Sequence, residues 1–310
     1  MRLEWLFLGT LAVLAAATLT GQVLRRTVRS EAAGHTVANM NLRIGAWWVL
    51  CGAMGLALVL GDAAMLALFA VFSLIALHEF LALMPGGRSL FRDIAVFVPL
   101  QYWFLWIRSY GLFSVVIPVC GFVYIAVRQT FFGGTERFLE RTAKAYWGLV
   151  LCAYLPSHAT AVLMLTIPGY TIPGYGGRNA TLLFYLLLVV ESSDVMQYVW
   201  GKLAGRRPMA PTISPHKTWE GFLGGVLSAI ALGTALYRAT PFSPWQAAAI
   251  SAAVTLAGFA GGMTMSAIKR GSGIKDFGTI VAGHGGVLDR IDSLCFAAPV
   301  FFYVARSVRL

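Results

Sequence analysis

The chain alternates between long, solid apolar runs and short polar segments. An α-helix rises about 1.5 Å per residue, so a run of about twenty apolar residues crosses a hydrocarbon core of roughly 30 Å. The pattern predicts transmembrane helices, because a membrane β-strand would show apolar and polar residues in strict alternation. The predicted spans are 5–23, 44–61, 63–84, 93–108, 111–127, 145–167, 179–200, 221–237, 244–265 and 293–306.

These runs predict an all-α, polytopic integral membrane protein with nine or ten transmembrane helices, since the last run is short and two connections are tight. The composition agrees with this class. Of the 310 residues, 58% are hydrophobic and only 12% are charged, which is far too apolar for an ordinary soluble domain.

The lysines and arginines are distributed unevenly between the two sides of the predicted membrane. If the loop 24–43 is cytoplasmic, then 85–92, 128–144, 201–220 and 266–292 are cytoplasmic too. These five loops contain eighteen of the 24 lysines and arginines, which is the bias expected of cytoplasmic loops. We therefore expect both termini outside. The net charge of +11 therefore comes mainly from the predicted cytoplasmic loops. The sequence contains no basic helix with interleaved aromatic residues, so it does not predict a nucleic-acid site.

The acidic residues divide the chain into two regions. Only 13 are present, and six of them fall between positions 191 and 292. We therefore predict an N-terminal transmembrane scaffold at 1–140 and a C-terminal catalytic region at 141–310, with cytoplasmic loops 201–220 and 266–292. Within the scaffold, His78 and Glu79 either line a cavity or form a satisfied polar pair inside the membrane.

The first polar motif occupies 191–225. Glu191 and Asp194 are three residues apart at the cytoplasmic end of a predicted span, so a helix places both on one face. Carboxylates at membrane depth are costly and indicate a functional site, and their oxygens suit Mg²⁺. The alternative is a helix-end carboxylate paired with Lys202 or Arg206.

Downstream in the same motif, the sequence "SPHKTWEG" marks the beginning of a helix. Ser214 and Thr218 are both suitable N-cap residues. A helix start with Lys217 beside it predicts a phosphate-binding site, because the first N–H groups of a helix and an ammonium group both attract anions.

The second polar motif occupies 266–293 and mixes bases, acids and glycines. Asp276, Asp289 and Asp292 offer oxygen ligands, and His284 could donate to a phosphate or act as an acid. The bases are Lys269, Arg270, Lys275 and Arg290. The combination predicts metal-assisted phosphoryl or nucleotidyl transfer. A merely solvated basic loop would not explain why acids and glycines alternate with the bases.

The spacing of this second motif resembles the signature of the phosphatidate cytidylyltransferases, also called CDP-diacylglycerol synthases. The matching positions are Ser266, Ile268, Lys269, Arg270, Lys275, Asp276, Gly278, His284, Gly285, Gly286, Val287, Asp289, Arg290, Ile291 and Asp292. A second block of the family is matched by Asp194, Tyr198, Gly201, Lys202, Ser214, Pro215, Lys217, Thr218, Glu220 and Gly221. The specific resemblance covers about 190–310.

The resemblance implies a bacterial-type inner-membrane enzyme, dimeric, that makes CDP-diacylglycerol and pyrophosphate from CTP and phosphatidate. It implies an active site open to the cytoplasm and to lipid, with Mg²⁺ and, as an optional second ion, K⁺. Catalytic roles are implied for Lys275, Asp276, His284, Asp289, Arg290 and Asp292. Substrate binding is implied for Ser214, Lys217, Thr218, Ser266, Lys269, Arg270, Gly285 and Gly286, and metal binding for Asp194 and Asp289.

Two positions depart from the family pattern. Gly262 stands where the family has an aspartate, and Ala282 stands where it has a proline. A glycine has no side chain to coordinate a metal, so one rival hypothesis is a catalytically weak or silent paralogue that binds lipid phosphate or nucleotide.

Other rivals follow from the motifs. A sister enzyme would use another lipid phosphate or another nucleotide. A transporter is disfavoured, because the polar motif residues all lie on one predicted side of the membrane. The CDP-alcohol phosphotransferases are excluded, because their spaced aspartate motif is absent.

Overall fold

The structure is a computed structural model that describes residues 3–27, 31–167, 170, 178–280 and 285–307. Its helices are α1 (Leu3–Thr27), α2 (Glu31–Leu60), α3 (Asp62–Leu81), α4 (Gly87–Ile94), α5 (Phe97–Trp106), α6 (Tyr110–Val115), α7 (Phe122–Phe132), α8 (Phe138–Leu149), α9 (Leu155–Ala161), α10 (Arg178–Ala204), α11 (Trp219–Ala235), α12 (Pro244–Gly271) and α13 (Leu288–Ser307). Turns of π-helix join α6 to α7 at Val116–Gly121 and α8 to α9 at Val150–Tyr154. Short 3₁₀ turns follow at Val162–Met164 and Tyr237–Ala239.

The predicted fold class is confirmed: the described part of the chain is almost entirely helical. Its two strands, β1 (Pro208–Ala210) and β2 (Ser214–Thr218), form one antiparallel hairpin in the predicted cytoplasmic loop 201–220. Pro208 pairs with Thr218 and Ala210 with Ser214.

Seven helices of the described chain are long and apolar enough to cross a membrane, judged by length and composition. They are Leu6–Thr27, Met40–Leu60, Asp62–Leu81, Tyr110–Phe132, Phe138–Met164, Asn179–Ala204 and Pro244–Gly271. The other three predicted spans correspond to less regular elements. The run 93–108 is divided between α4 and α5, α11 has 17 residues, and α13 carries charged residues in its first turn. The count of nine or ten stays a prediction.

The helices that carry the polar motifs pack together. α10 packs on α11, α11 on α12 and α12 on α13, while α9 and α3 also contact α13. Glycines allow the closest approach, since a Cβ at Gly225 would overlap Gln197 and one at Gly224 would overlap Trp200. By contrast, α1 packs mainly on α2, and α2 packs on both α1 and α3. The two helices expose apolar side chains such as Val13 and Val49, as lipid-facing helices do.

Candidate active site

An acidic cluster forms where α10 meets α13; we define it as Glu191, Asp194, Asp292 and Ser293. The Ser293 hydroxyl donates to Asp194 Oδ2 at 2.7 Å, and Asp292 Oδ1 lies 3.4 Å from the same hydroxyl oxygen. Asp292 Oδ1 also accepts a hydrogen bond from the Ser293 backbone N–H at 2.7 Å. Glu191 lies close enough to both aspartates for the like charges to interact. The cluster therefore concentrates negative charge at a helix junction.

Lys217, at the end of the hairpin, supplies positive charge beside the acidic cluster. Its ammonium group lies over the Phe259 ring, 4.8 Å from the ring centroid, and interacts with Asp194 and Asp292. Burial lowers the pKa of Lys217 from its usual range, while the two carboxylates oppose that shift. The sequence-predicted phosphate ligand thus lies next to the predicted metal ligand.

Gly262 faces the same place from α12. A Cβ added there would lie 3.3 Å from Ser293 Oγ and 3.5 Å from Lys217 Nζ. A side chain at position 262 would therefore point into the acidic cluster, and the glycine leaves that volume open.

Asp289 has a different environment from the acidic cluster, although it lies only three residues from Asp292. Its Oδ1 accepts a hydrogen bond from Lys269 Nζ at 2.8 Å. Its Oδ2 accepts from the backbone N–H groups of Phe277 and Gly286, at 2.8 and 2.9 Å. Both oxygens hold the loop before α13 in place. The predicted role of Asp289 as a metal ligand stays a prediction.

Glu79, from the predicted scaffold, holds the same loop. Its side chain is buried at the end of α3 and accepts hydrogen bonds from the backbone N–H groups of Val287 at 3.0 Å and Leu288 at 2.9 Å. Together, Glu79 and Asp289 form what we call the carboxylate brace. The sequence hypothesis of a satisfied polar pair of His78 and Glu79 is therefore not what the structure shows: Glu79 is satisfied, but by a backbone segment.

His78 lies at a cavity of about 350 Å³ near the turn between α3 and α4. The lining residues are His78, Ala82, Met84, Gly86, Gly87 and Arg88. None of them belongs to the acidic cluster, so the cavity does not mark the predicted reaction centre.

The remaining predicted residues divide into three groups. Thr218 is the N-cap of α11, accepting a hydrogen bond from the Gly221 N–H at 3.1 Å, whereas Ser214 is part of β2. This confirms one of the two predicted helix starts.

Arg270 and Ser266 make contacts with the protein backbone. The Arg270 guanidinium donates to the carbonyl oxygens of Ile213 and Ile274, at 3.3 Å each, and so ties the hairpin turn to the loop after α12. The Ser266 hydroxyl donates to the Gly262 carbonyl at 2.8 Å. Their predicted roles in substrate binding stay predictions.

Lys275 and Asp276 are exposed on the loop, where solutes can reach them. Gly285 has φ +85°, a conformation that favours glycine, and a Cβ there would lie 2.7 Å from Asp289 Oδ2. Gly286 contributes its N–H to the brace, and Arg290 lies close enough to Glu191 and Asp194 to attract them. His284 lies outside the described residues.

The carboxylates of the acidic cluster fit Mg²⁺ in one particular way. Within the described residues, no group of three or more His, Cys, Asp or Glu side chains is arranged to hold a metal ion. Mg²⁺ seldom needs such a cage, since it is usually bound by one or two carboxylates together with waters and substrate phosphates. Asp194 and Asp292, which converge on one hydroxyl, provide that number of carboxylates.

Two residues of this region were missed as contributors by sequence reasoning. Ser293 directly follows Asp292, and its role depends on a contact with α10, 99 residues away in the chain. Glu79 bonds to residues 208 and 209 positions further on. Its position as a carboxylate in an apolar run did single out Glu79 in the sequence, but no local pattern indicates its contact with the loop before α13.

Comparison with known proteins identifies the family of the chain. The profile of the cytidylyltransferase family matches residues 41–308. The chain belongs to the cytidylyltransferase family. It is therefore a nucleotidyltransferase, a multi-pass membrane protein of the CDP-diacylglycerol synthase family, as the sequence motifs indicate.

Relatives within this family differ in how much of the chain they match. A protein of Escherichia coli (strain K12) named Uncharacterized protein YnbB is 38% identical over 302 residues, which is 95% of each chain. The phosphatidate cytidylyltransferase of Mycobacterium bovis is 29% identical over 252 residues, covering 77% of this chain and 79% of that relative. The phosphatidate cytidylyltransferase of Haemophilus influenzae is 37% identical over 153 residues, covering 46% and 51% respectively.

Proposed function

We propose that this cytidylyltransferase transfers the cytidylyl group of CTP to phosphatidate, giving CDP-diacylglycerol and pyrophosphate. The observation that carries the proposal is the convergence of Asp194 and Asp292 on Ser293, with Lys217 beside them. Such a site combines metal-binding carboxylates with a cation for phosphates, and two relatives named phosphatidate cytidylyltransferase supply the substrate class.

In the proposed reaction, an oxygen of the phosphatidate phosphate attacks the α-phosphorus of CTP. The bond from that phosphorus to the bridging oxygen breaks, and pyrophosphate leaves with the electron pair. A lipid phosphate is already anionic at neutral pH, so the step needs no strong general base. The ammonium groups of Lys217 and Lys275 and the Arg290 guanidinium neutralise phosphate charge.

Asp194 and Asp292 are the residues that would hold Mg²⁺, which when bound neutralises the triphosphate and the charge that develops in the transition state. Ser293 orients both carboxylates, because its hydroxyl donates to Asp194 and its backbone N–H donates to Asp292. K⁺ as a second ion and a homodimeric assembly remain expectations from the family resemblance.

We place the enzyme in the cytoplasmic membrane with its active site on the cytoplasmic side. The support is the concentration of lysine and arginine in the loops that carry the polar motifs. CTP would then enter from the cytoplasm and phosphatidate from the bilayer.

The test is a synthesis assay on the purified full-length protein in mixed micelles with phosphatidate, labelled CTP and Mg²⁺. We expect equal amounts of CDP-diacylglycerol and pyrophosphate, with product formation abolished in Lys275→Ala. Lys144→Ala is the matched control, because Lys144 is an exposed lysine paired with Glu140 on α8. Equal turnover by wild type and Lys275→Ala would contradict the assignment, and a panel of nucleotides and lipid phosphates would detect a sister enzyme.

A second candidate function, a catalytically weak paralogue that binds lipid phosphate or nucleotide, is favoured by the place of Gly262. Position 262 faces the acidic cluster, so an aspartate there would add a carboxylate to it. The weak paralogue predicts trace activity in the wild type and a clear rise in Gly262→Asp. Robust wild-type activity would exclude it.

A further inference from the structure

Glu79 makes a contact between the predicted scaffold and the predicted catalytic region. It lies on α3, in the predicted scaffold, yet its carboxylate reaches the residues that begin α13. Its side chain is buried, with a relative exposure of 4%. A buried carboxylate is costly unless its oxygens accept hydrogen bonds, so this position is not neutral packing.

The hydrogen bonds satisfy the start of α13. The first N–H groups of a helix have no partner within the helix, and a carboxylate placed there both accepts from them and interacts favourably with the helix dipole. Oε1 accepts from the Val287 N–H and Oε2 from the Leu288 N–H, while Asp289 Oδ2 accepts from the Gly286 N–H. Three successive N–H groups are thereby fixed by the carboxylate brace.

The loop is also shaped around Glu79. A Cβ at Gly278 would lie 2.5 Å from Glu79 Oε1, and one at Gly286 would overlap Glu79 Oε2. Next to Glu79, the Phe80 ring stacks on Phe277, with centroids 6.3 Å apart and an interplanar angle of 28°. The glycines of the loop therefore leave room for the Glu79 carboxylate at the end of α3.

We propose that Glu79 is a positioning residue for the cytidylyl-transfer site: its bonds to Val287 and Leu288 set the direction of the first turn of α13. The turn that follows carries Asp292 and Ser293 of the acidic cluster, four and five residues after Leu288. The proposal deepens the proposed function and rests on it for its kinetic part. Glu79 does not touch the substrates; it acts through the helix that it anchors.

The first experiment replaces the carboxylate with its isosteric amide. Glu79→Gln keeps the shape but turns one acceptor into a donor that faces a backbone N–H. We expect kcat to fall about 10- to 100-fold and the Mg²⁺ concentration for half-maximal activity to rise, as is typical when a group that orients ligands is removed. The matched control is Ser73→Ala, which removes a buried hydrogen bond to Tyr102 from the same helix α3, and which we expect to leave both values unchanged.

A second variant displaces the carboxylate without removing it. Gly278→Ala pushes a methyl group against Glu79 Oε1, so it should lower kcat in the same way. Because both changes break the same contact, the double variant Glu79→Gln/Gly278→Ala should lose no more than the worse single variant. Losses that multiply would contradict the proposal. Gly278→Ala also tests the proposal by itself if Glu79→Gln fails to fold.

Hydrogen exchange measures the anchoring independently of activity. In the wild type, the amides of 286–288 should be protected, and in Glu79→Gln their exchange should accelerate about tenfold or more, with Ser73→Ala like the wild type. Unchanged exchange together with unchanged kcat in Glu79→Gln would overturn the proposal. If the wild type makes no CDP-diacylglycerol but the exchange difference is present, the proposed function fails while the anchoring of α13 stands.

Discussion

Two sets of carboxylates meet at the beginning of α13 and have opposite environments. In the carboxylate brace, all four oxygens of Glu79 and Asp289 accept hydrogen bonds from backbone N–H groups or from Lys269. In the acidic cluster, Ser293 donates its hydroxyl to Asp194 and its backbone N–H to Asp292. Among the residues that the structure describes, Asp194 Oδ1 and Asp292 Oδ2 have no hydrogen-bond partner.

The difference separates two uses of the same side chain. Saturated carboxylates hold backbone in place, because every acceptor is already used inside the protein. Carboxylates that repel one another and keep open lone pairs favour a cation or a phosphate-bound metal. The first type should therefore matter for both stability and activity, and the second for activity alone.

The largest expected effect is on the acidic cluster. Asp292→Asn removes a charge that would hold Mg²⁺, so we expect kcat to fall about 10²- to 10³-fold, the usual cost of removing one group that stabilises developing charge. The free energy of unfolding in detergent should change little, because relief of the repulsion with Asp194 and Glu191 offsets the lost attraction to Lys217. A steady-state assay measures kcat, and denaturant unfolding measures the free energy of unfolding.

The matched control for this change is Asp93→Asn. Asp93 pairs with Arg128, away from the cluster residues, and we expect its loss to leave kcat unchanged. A comparable loss of kcat in both variants would show that the cluster has no special role.

The brace should respond in the opposite way. Asp289→Asn leaves the Lys269 ammonium, whose side chain is 13% exposed, without its anionic partner. Breaking a buried ion pair by removing one partner costs about 3–5 kcal/mol of unfolding free energy. Denaturant unfolding of Asp289→Asn and Asp292→Asn side by side tests the comparison. Equal stability of the two variants would remove the distinction between brace and cluster.

A smaller effect concerns Lys217. Because burial lowers its pKa below the ordinary value of 10.5, the ammonium loses its proton at a lower pH than an exposed lysine does. If the protonated form binds phosphate, kcat/KM falls as pH rises through that lowered pKa. Lys217→Arg should move the alkaline limb to higher pH, since guanidinium stays protonated. The control Lys144→Arg should not shift the alkaline limb of the kcat/KM profile. If Lys217→Arg does not shift it either, Lys217 does not bind phosphate in its protonated form.

The smallest effect concerns the helix start beside Lys217. Thr218→Ala removes the N-cap of α11 and should cost about 1 kcal/mol of unfolding free energy. Thr234→Ala, on the same helix, removes only a bond to the Ile230 carbonyl and should cost less. Unfolding curves of both variants, recorded under one detergent condition, measure the two losses. A loss in Thr218→Ala no larger than that in Thr234→Ala would contradict the cap.

Much of the fold could be predicted from local sequence, and less of the site. The apolar runs predicted helices because burial in lipid depends on the composition of a segment alone. The prediction of a single helix over 93–108 was wrong, because the chain is divided there between α4 and α5. Asp194, Lys217 and Asp292 were each predicted as site residues, but the metal pair predicted from the sequence was Asp194 with Asp289. That Asp194 and Lys217 lie beside Asp292, and that Ser293 and Glu79 take part, depends on contacts between distant segments.

The sequence by itself determined the class of the molecule, its family and the set of polar residues from which a site could be built. These follow from local composition and from motif spacing, which do not depend on how the helices are arranged. Only the tertiary structure decided which carboxylates hold backbone and which remain open to a ligand. Asp289 and Asp292 look equivalent in the sequence, but α3 and the loop before α13 saturate the brace around Asp289, whereas α10 brings a second acid to Asp292.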